Sequence, residues 1–244
     1  MAADEEAGEV VARAGRDAVL LESMVGRRLT GEPLAWITGT AAFCGMALAV
    51  DPGVYVPRWQ SEPLARRAVA RLPEAGAAID LCTGTGAVAA VLAASRPSAR
   101  VVAVDLDARS VACARHNGVE AFMGDLFDPV PPSFEGVTDV VVGVVPYVPT
   151  DALGQLARDT LEFETPLAYD GGSGGTVVLR RVLAGARRFL RSGGALLVEL
   201  GGGQAGALGD DFERLGYVDV EVLADGDGDV RGVEATFAGA RTRP

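Results

Sequence analysis

Two glycines and two carboxylates in the first half of the chain are spaced as in nucleotide-binding sites. Gly84 and Gly86 come directly after an apolar run that contains Asp80, and glycine allows the backbone to turn tightly and to approach a ligand closely. Asp105 ends the next apolar run about 20 residues later, where a carboxylate can accept both hydrogen bonds of a ribose diol. The spacing therefore predicts a site for a cofactor that contains ribose.

Two cofactor classes fit a glycine loop followed by a ribose-binding acid: dinucleotides and S-adenosylmethionine. Asp80 can hold the ammonium group of methionine, and Ala89 stands where a dinucleotide motif has its third glycine. Asp125 and Leu126 follow a third apolar run and can meet the amino group and the face of an adenine ring. These features favour S-adenosylmethionine, with glycines that only make a turn and Asp105 as a helix cap as the alternative. The predicted cofactor-binding residues are Asp80, Cys82, Thr83, Gly84, Gly86, Asp105, Leu106, Asp125, Leu126 and Gly143.

The elements that must position these residues alternate between strand and helix from residue 77 onward. Runs rich in Val, Ile and Leu predict strands at 77–81, 101–105, 119–123, 139–145 and 195–200. Helical spacing predicts helices at 87–94, 110–117, 177–190 and 204–215. Strands at 218–223 and 232–238 flank the Asp-rich turn 225–229, which indicates an antiparallel hairpin. The pattern predicts an α/β fold with a mostly parallel, doubly wound sheet of seven strands and an antiparallel edge.

The N-terminal quarter has a different pattern. Apolar residues at helical spacing predict one or two amphipathic helices over 8–29, and a further helix is expected over 61–72. Between them, apolar residues interrupted by Gly and Pro over 33–57 predict a β-hairpin or short strands. We therefore expect a small helix-and-hairpin extension over residues 1–60 in front of the α/β domain over 61–244.

Five motifs between residues 27 and 235 occur together in one family. They are Gly-Glu-Pro-Leu-Ala-Trp-Ile-Thr-Gly at 31–39, Pro-Arg-Trp-Gln-Ser-Glu at 57–62, Asp-Leu-Cys-Thr-Gly-Thr-Gly-Ala at 80–87, Ala-Tyr-Asp-Gly-Gly at 168–172, and Glu-Leu-Gly at 199–201 followed by Gln204. Together they resemble the HemK-type methyltransferases, which methylate the side-chain amide of a glutamine in release factors. The resemblance implies a Rossmann-like class I methyltransferase fold with S-adenosylmethionine as the cofactor.

The chain departs from this family at the position that holds the methyl acceptor. The family has Asn-Pro-Pro-Tyr after its fourth strand, and the Asn helps to bind the amide nitrogen of the substrate. Here the segment is Val144-Val145-Pro146-Tyr147, and the side chain of Val144 offers neither a donor nor an acceptor. A site built to hydrogen-bond an amide loses discrimination when one partner is missing. The departure therefore concerns the acceptor, while Tyr147 is still expected to pack on the substrate or the methyl group.

Two glutamates offer a replacement for the missing Asn. Glu162 and Glu164 lie in the loop that faces this site in the family, and alternate residues of an extended segment share one face. Two carboxylates in one pocket suit a guanidinium, whose fork of donors they accept bidentately. The chain also resembles a HemK-like branch that methylates free arginine in natural-product pathways of the streptozotocin type. The resemblance and the two carboxylates together favour, as the acceptor, the guanidinium nitrogen of free L-arginine or a related small molecule in natural-product biosynthesis. The predicted catalytic residues are Glu162, Glu164, Tyr147, Pro146 and Val144.

Other functions stay open at this stage. The glutamates can equally belong to a solvated acidic loop, and the acceptor is then the glutamine amide of a release factor, as the resemblance implies. A protein that binds the cofactor without turnover and acts as an interaction module is a third possibility. Labelled methyl transfer to each acceptor separates these functions.

Composition narrows the partners and the location. A net charge of −11 argues against nucleic acid, which needs a basic surface. No apolar run approaches about 18 residues, and the first residues lack the basic and apolar pattern of a signal peptide, so we expect a cytoplasmic protein that does not bind membranes. The three cysteines lack metal-ligand spacing, so no metal is predicted. The apolar hairpin leaves a homodimer possible.

Overall fold

A computed structural model describes residues 3–156 and 158–239 of the chain, and a Rossmann-like sheet lies at its centre. Its strands are β1 (Thr40–Phe43), β2 (Met46–Ala49), β3 (Ala77–Leu81), β4 (Arg100–Asp105), β5 (Ala121–Met123), β6 (Thr138–Gly143), β7 (Leu190–Glu199), β8 (Tyr217–Ala224) and β9 (Val230–Phe237). Among the described residues, β1 and β2 form a separate antiparallel pair and the other strands form one seven-stranded sheet.

The strand order of the large sheet is β5-β4-β3-β6-β7-β9-β8. Neighbouring strands are parallel from β5 to β7, and β9 runs antiparallel to both β7 and β8. The prediction of a mostly parallel sheet with an antiparallel edge hairpin is therefore confirmed. In parallel strands the carboxyl ends meet at one edge, which brings the loops after β3, β4, β5 and β6 together.

Helices cover both faces of the sheet. They are α1 (Ala3–Ala14), α2 (Ala18–Leu29), α3 (Leu34–Thr38), α4 (Glu62–Arg71), α5 (Ala87–Ser95), α6 (Ala108–His116), α7 (Arg158–Phe163), α8 (Val177–Phe189), α9 (Gln204–Ala207) and α10 (Gly209–Arg214). Ile79 and Val141 point to the face that packs against α8, whereas Ala78 and Val142 point to the face that packs against α4 and α5. The valines of β6 are buried on both faces, as expected for a central parallel strand.

The N-terminal extension differs from its prediction at one point. Residues 34–38 were expected to be part of a hairpin, but they form the short helix α3 after Pro33. Gly39 ends this helix with a positive φ of 77°, a conformation that glycine adopts without strain. The Trp36 indole donates a hydrogen bond of 2.9 Å to the Val54 carbonyl, which fixes α3 against the segment before α4. The predicted boundary at residue 60 stays a prediction.

Two further segments differ from the sequence pattern. The strand expected from residue 195 begins at Leu190, because Leu190 pairs with Thr138 before a register shift. The single helix expected over 204–215 is divided into α9 and α10 around the buried Leu208, in a stretch that contains several glycines, the weakest helix formers after proline. Neither difference moves the loops at the carboxyl edge of β3–β6.

The structure also bears on membranes and metals. No helix in the described part of the chain is both long and apolar enough to cross a bilayer. Within residues 3–156 and 158–239, no group of three or more His, Cys, Asp or Glu side chains is arranged to hold a metal ion.

Candidate active site

The loop after β3 surrounds a fully buried carboxylate. Asp80 accepts hydrogen bonds of 2.5 Å from the Thr83 hydroxyl and 3.1 Å from the Ala89 amide, which hold the loop against the start of α5. Burial raises the pKa of Asp80 to about 7, although both hydrogen bonds oppose this rise. A cation placed beside Asp80 would restore its ionised form, so this position suits a ligand ammonium group.

Asp105 joins the end of β4 to the same loop. Its carboxylate accepts hydrogen bonds of 2.8 Å from the Gly84 amide and 2.9 Å from the Asp107 amide, one on each oxygen. Burial raises the pKa of Asp105 above its ordinary value. Each oxygen has a further lone pair, so the carboxylate can still accept from two neighbouring hydroxyl groups. This geometry fits the ribose diol predicted from the sequence.

A cavity of about 300 Å³ lies at the carboxyl edge of the sheet, and a smaller pocket of about 30 Å³ adjoins it. The larger volume is at the lower end of the range for small-molecule sites. Most of the predicted site residues line it, namely Cys82, Gly84, Asp105, Leu106, Asp125, Leu126, Val144, Pro146 and Tyr147. Asp80 and Thr83 line the smaller pocket, and Tyr55, Cys82 and Val144 line both.

Two predicted glycines lie outside both cavities and have packing reasons instead. A Cβ at Gly86, whose φ is 80°, would lie 2.9 Å from the Cβ of Ala114 on α6. A Cβ at Gly143 would lie 3.0 Å from Val145 and 3.2 Å from the Leu81 carbonyl. Both positions therefore require glycine for the close approach of neighbouring elements, independently of any ligand.

The adenine side of the cavity contains an ion pair that the sequence did not indicate. Asp125, after β5, accepts a hydrogen bond of 2.7 Å from Arg181 on α8. Leu126 is buried beside it with a φ of 48°, which is uncommon for a residue other than glycine. The partnership of residues 56 positions apart has no local sequence signal.

Residues 144–147 follow β6, and we call them the acceptor segment; contacts from several elements hold it in place. The Tyr147 hydroxyl donates a hydrogen bond of 3.0 Å to Glu199, and the Tyr147 carbonyl accepts one of 2.6 Å from the Gln204 amide group. Gly171, in the Gly-Gly motif, approaches so closely that a Cβ there would lie 2.7 Å from the Tyr147 Cα, and a Cβ at the nearby Gly175 would lie 2.0 Å from the Tyr147 carbonyl oxygen. The Gly-Gly and Glu-x-Gly motifs of the sequence therefore converge on this one tyrosine.

The segment that carries the two predicted catalytic glutamates is not extended, and that expectation was wrong. Residues 158–163 form helix α7 rather than an extended segment, so alternate residues do not share a face. Glu162 is exposed, whereas Glu164, directly after the helix, is buried. Neither side chain lines the two cavities. A shared pocket for a guanidinium therefore has no support from these two cavities, and the catalytic role of Glu162 and Glu164 stays a prediction.

Glu164 instead binds the N-terminal extension. Its carboxylate accepts hydrogen bonds of 3.1 Å from the Val56 amide and 2.6 Å from Arg58, and a third from the Tyr169 hydroxyl. Burial alone would lower the pKa of Arg58, but the neighbouring Glu164 carboxylate raises it, so the guanidinium stays charged. The contacts join the two segments that border the cavity.

Tyr55 is another cavity residue that was not predicted from the sequence. Its ring lies beneath the Arg58 guanidinium, with 5.2 Å between the guanidinium carbon and the ring centroid, and meets Tyr169 edge-on at 5.6 Å. Burial raises the pKa of Tyr55 to about 12, so it carries a neutral hydroxyl. Tyr55 lies just before the Pro-Arg motif at 57–62, and this position was the sequence signal that could have identified it as a site residue.

Comparison with known proteins decides the family. A model of the "Methyltransferase small domain" matches residues 59–132. The release factor glutamine methyltransferase of Geobacter sulfurreducens is 37% identical over 211 residues, which cover 84% of this chain and 73% of the relative. That of Mycolicibacterium smegmatis is 40% identical, over 73% of this chain and 65% of the relative.

The chain belongs to the family of HemK-type methyltransferases. A further relative, the 4-amino-L-phenylalanine/4-methylamino-L-phenylalanine methyltransferase of Streptomyces pristinaespiralis, is 36% identical over 79% of this chain and 69% of its own length. This HemK-type chain is therefore similar both to enzymes named for a protein substrate and to one named for a small amine.

Solved structures confirm the class I methyltransferase fold of the HemK-type chain. A ribosomal protein L11 methylase from Lactobacillus delbrueckii subsp. bulgaricus has a TM-score of 0.53 at 16% identity, over 77% of this chain and 83% of its own. TYW2 of P. horikoshii, solved with MeSAdo, has a TM-score of 0.54 at 14% identity, over 82% and 71%. At these identities the likeness concerns the fold.

The HemK-type chain is an S-adenosylmethionine-dependent methyltransferase, and its residues fit that cofactor. The chemistry that S-adenosylmethionine supplies when bound is an electrophilic methyl group on sulfur. Asp105, which binds the Gly84 amide, suits the ribose hydroxyls of the cofactor. Asp80, which binds the Ala89 amide, suits its ammonium group. Tyr55, Val144 and Tyr147 line the same cavity, and we call them the acceptor wall, a mainly apolar surface that can orient an acceptor and exclude water.

Proposed function

We propose that this chain transfers the methyl group to the side-chain amide nitrogen of a glutamine in a polypeptide, with a release factor as the substrate. The observation that carries the proposal is the acceptor segment, in which Pro146 and Tyr147 border the cofactor cavity in a chain 37% identical to a release factor enzyme. The contacts on Tyr147 come from motifs that the resemblance already included. Transfer needs an oriented nitrogen rather than a metal or a covalent intermediate.

Val144 supports a second candidate, the aromatic amine of a free amino acid. The lone pair of an amide nitrogen is delocalised into the carbonyl, so an amide benefits from a hydrogen-bond acceptor that polarises its N–H groups, and valine supplies none. An arylamine has a more available lone pair and suits the mainly apolar acceptor wall of Tyr55, Val144 and Tyr147. The similarity to the Streptomyces pristinaespiralis enzyme agrees with this candidate.

Rates with defined acceptors test both candidates. Labelled S-adenosylmethionine is incubated with the chain and with intact release factor, 4-amino-L-phenylalanine or L-arginine. The proposal predicts label in the release factor and none in arginine. Label only in 4-amino-L-phenylalanine would replace the proposal by the second candidate, and label only in arginine would contradict both.

Substitution at Val144 sharpens the comparison. Val144→Asn adds the missing acceptor, and we expect it to raise the rate on the release factor by about 10-fold, which corresponds to one good hydrogen bond. Val144→Ala is the matched control, because it changes the volume without adding a polar group. A rate on the release factor that falls in Val144→Asn and is unchanged in Val144→Ala would contradict the role given to this position.

A further inference from the structure

A buried carboxylate lies behind the acceptor segment without touching the cofactor cavity. Glu199 is the last residue of β7, and only 6% of its surface is exposed. Its two oxygens accept hydrogen bonds from two neutral hydroxyl groups, 2.5 Å from Ser61 and 3.0 Å from Tyr147. Glu199 is absent from the lining of both cavities, whereas Tyr147 lines the larger one and Ser61 the smaller one.

Burial of the Glu199 carboxylate costs desolvation free energy. Burial raises the pKa of Glu199, which means that the surroundings disfavour its charged form. An apolar residue at the end of a central strand would avoid this desolvation. A buried polar group that is retained despite its cost commonly fixes the orientation of a partner.

The partner is Tyr147, whose backbone is already fixed by other contacts. The Gln204 side chain donates a hydrogen bond of 2.6 Å to the Tyr147 carbonyl, and its oxygen accepts a hydrogen bond of 3.0 Å from the Gly201 amide. A Cβ at Gly171 would lie 2.7 Å from the Tyr147 Cα. With the backbone held in this way, the remaining freedom of Tyr147 is the rotation of its side chain, and Glu199 removes it.

We propose that Glu199 is a positioning residue, which Ser61 fixes at the start of α4 and which holds the Tyr147 ring at the acceptor wall of the cavity. The role rests on the proposed N-methyl transfer and applies to either acceptor. Ser61, Tyr147 and Glu199 come from three separate segments. Their hydrogen bonds therefore also fix the position of Tyr147 relative to the start of α4.

Kinetics of two variants test the role with the acceptor that the wild type methylates, release factor or 4-amino-L-phenylalanine. Glu199→Ala removes the acceptor of the Tyr147 hydroxyl, and we expect kcat/KM for the acceptor to fall about 10-fold, with the S-adenosylmethionine Kd unchanged. Glu199→Gln keeps an oxygen for Tyr147, while Ser61 can turn to accept from the new amide group, so its kcat/KM should stay within about 3-fold of wild type. Equal losses in Glu199→Gln and Glu199→Ala would overturn the positioning role.

A double-mutant cycle shows whether Glu199 acts through Tyr147. Tyr147→Phe deletes the donor, and the double variant Tyr147→Phe/Glu199→Ala should lose no more kcat/KM than either single variant. Multiplied losses would overturn the proposal. Glu234→Gln, at a similarly buried carboxylate that pairs with Arg67 at 2.6 Å, is the control and should leave the acceptor KM unchanged.

A readout without turnover separates this inference from the proposed function. In protein labelled with ¹³C-tyrosine, Tyr147→Phe identifies the ring signals of Tyr147. We expect Glu199→Ala to shift or broaden these signals and Glu199→Gln to leave them close to wild type. Unchanged signals in Glu199→Ala would overturn the inference, whereas a wild type that methylates neither acceptor would overturn the proposed function alone.

Discussion

Replacement of Glu164 by alanine tests whether this glutamate joins the N-terminal extension to the segment beside the cavity. Its side chain is 1% exposed and accepts from Val56, Arg58 and Tyr169. Each hydrogen bond to a charged group contributes about 1.5–3 kcal/mol. In the variant, the 38% exposed Arg58 side chain can bind water instead of Glu164. The lost stability therefore comes mainly from the buried Val56 amide and from Tyr169, which lose their hydrogen-bond partner. We expect Glu164→Ala to lower the free energy of unfolding by about 3 kcal/mol.

Thermal and urea denaturation, followed by circular dichroism, measure this loss. For a chain of 244 residues, 3 kcal/mol corresponds to a decrease in Tm of about 6–12 °C. The matched control is Glu162→Ala, an exposed glutamate two residues away, whose effect should stay within about 0.5 kcal/mol. A Glu164→Ala variant as stable as wild type would refute this reasoning. So would a selective loss of arginine methylation, because it would return Glu164 to a substrate pocket.

Two further predictions concern the cofactor and the acceptor segment. Burial raises the pKa of Asp80 to about 7, and a ligand ammonium favours its ionised form, so the affinity for S-adenosylmethionine should fall about 10-fold from pH 8 to pH 6 in calorimetric titrations. Asp80→Asn should remove that dependence, and an unchanged Kd in the wild type would contradict it. Gly175→Ala places a Cβ 2.0 Å from the Tyr147 oxygen, so kcat/KM for the acceptor should fall at least about 10-fold. Gly174→Ala, with a similar φ and open space around its Cβ, should not show that loss, and equal losses would assign the effect to backbone strain alone.

The sequence could predict the sheet and the cofactor loops because their signals are local. The apolar runs of β3, β4 and β6 are continuous, as buried parallel strands require, and each ends at the same edge. Asp80 and Asp105 were therefore placed at the strand ends, where the structure has them. Such positions follow from chain order and strand direction alone.

The contacts that organise the acceptor side could not be predicted in the same way. The Tyr147–Glu199 bond joins residues 52 positions apart, and the Arg58–Glu164 bond joins residues 106 apart. Spacing carries no signal for such pairs, although the family motifs included several of their members. The acidic segment at Glu162 carries no periodicity that distinguishes a strand from a helix, and it forms helix α7 rather than the expected extended segment.

Tandem mass spectrometry of the methylated product identifies the residue and the atom that receive the methyl group. Intact release factor is incubated with the chain and S-adenosylmethionine, digested, and compared with a reaction that lacks the chain. We expect one added methyl group, on the side-chain nitrogen of a glutamine. Transfer to another residue type, or a release factor left unmodified while a free amino acid is methylated, would contradict it.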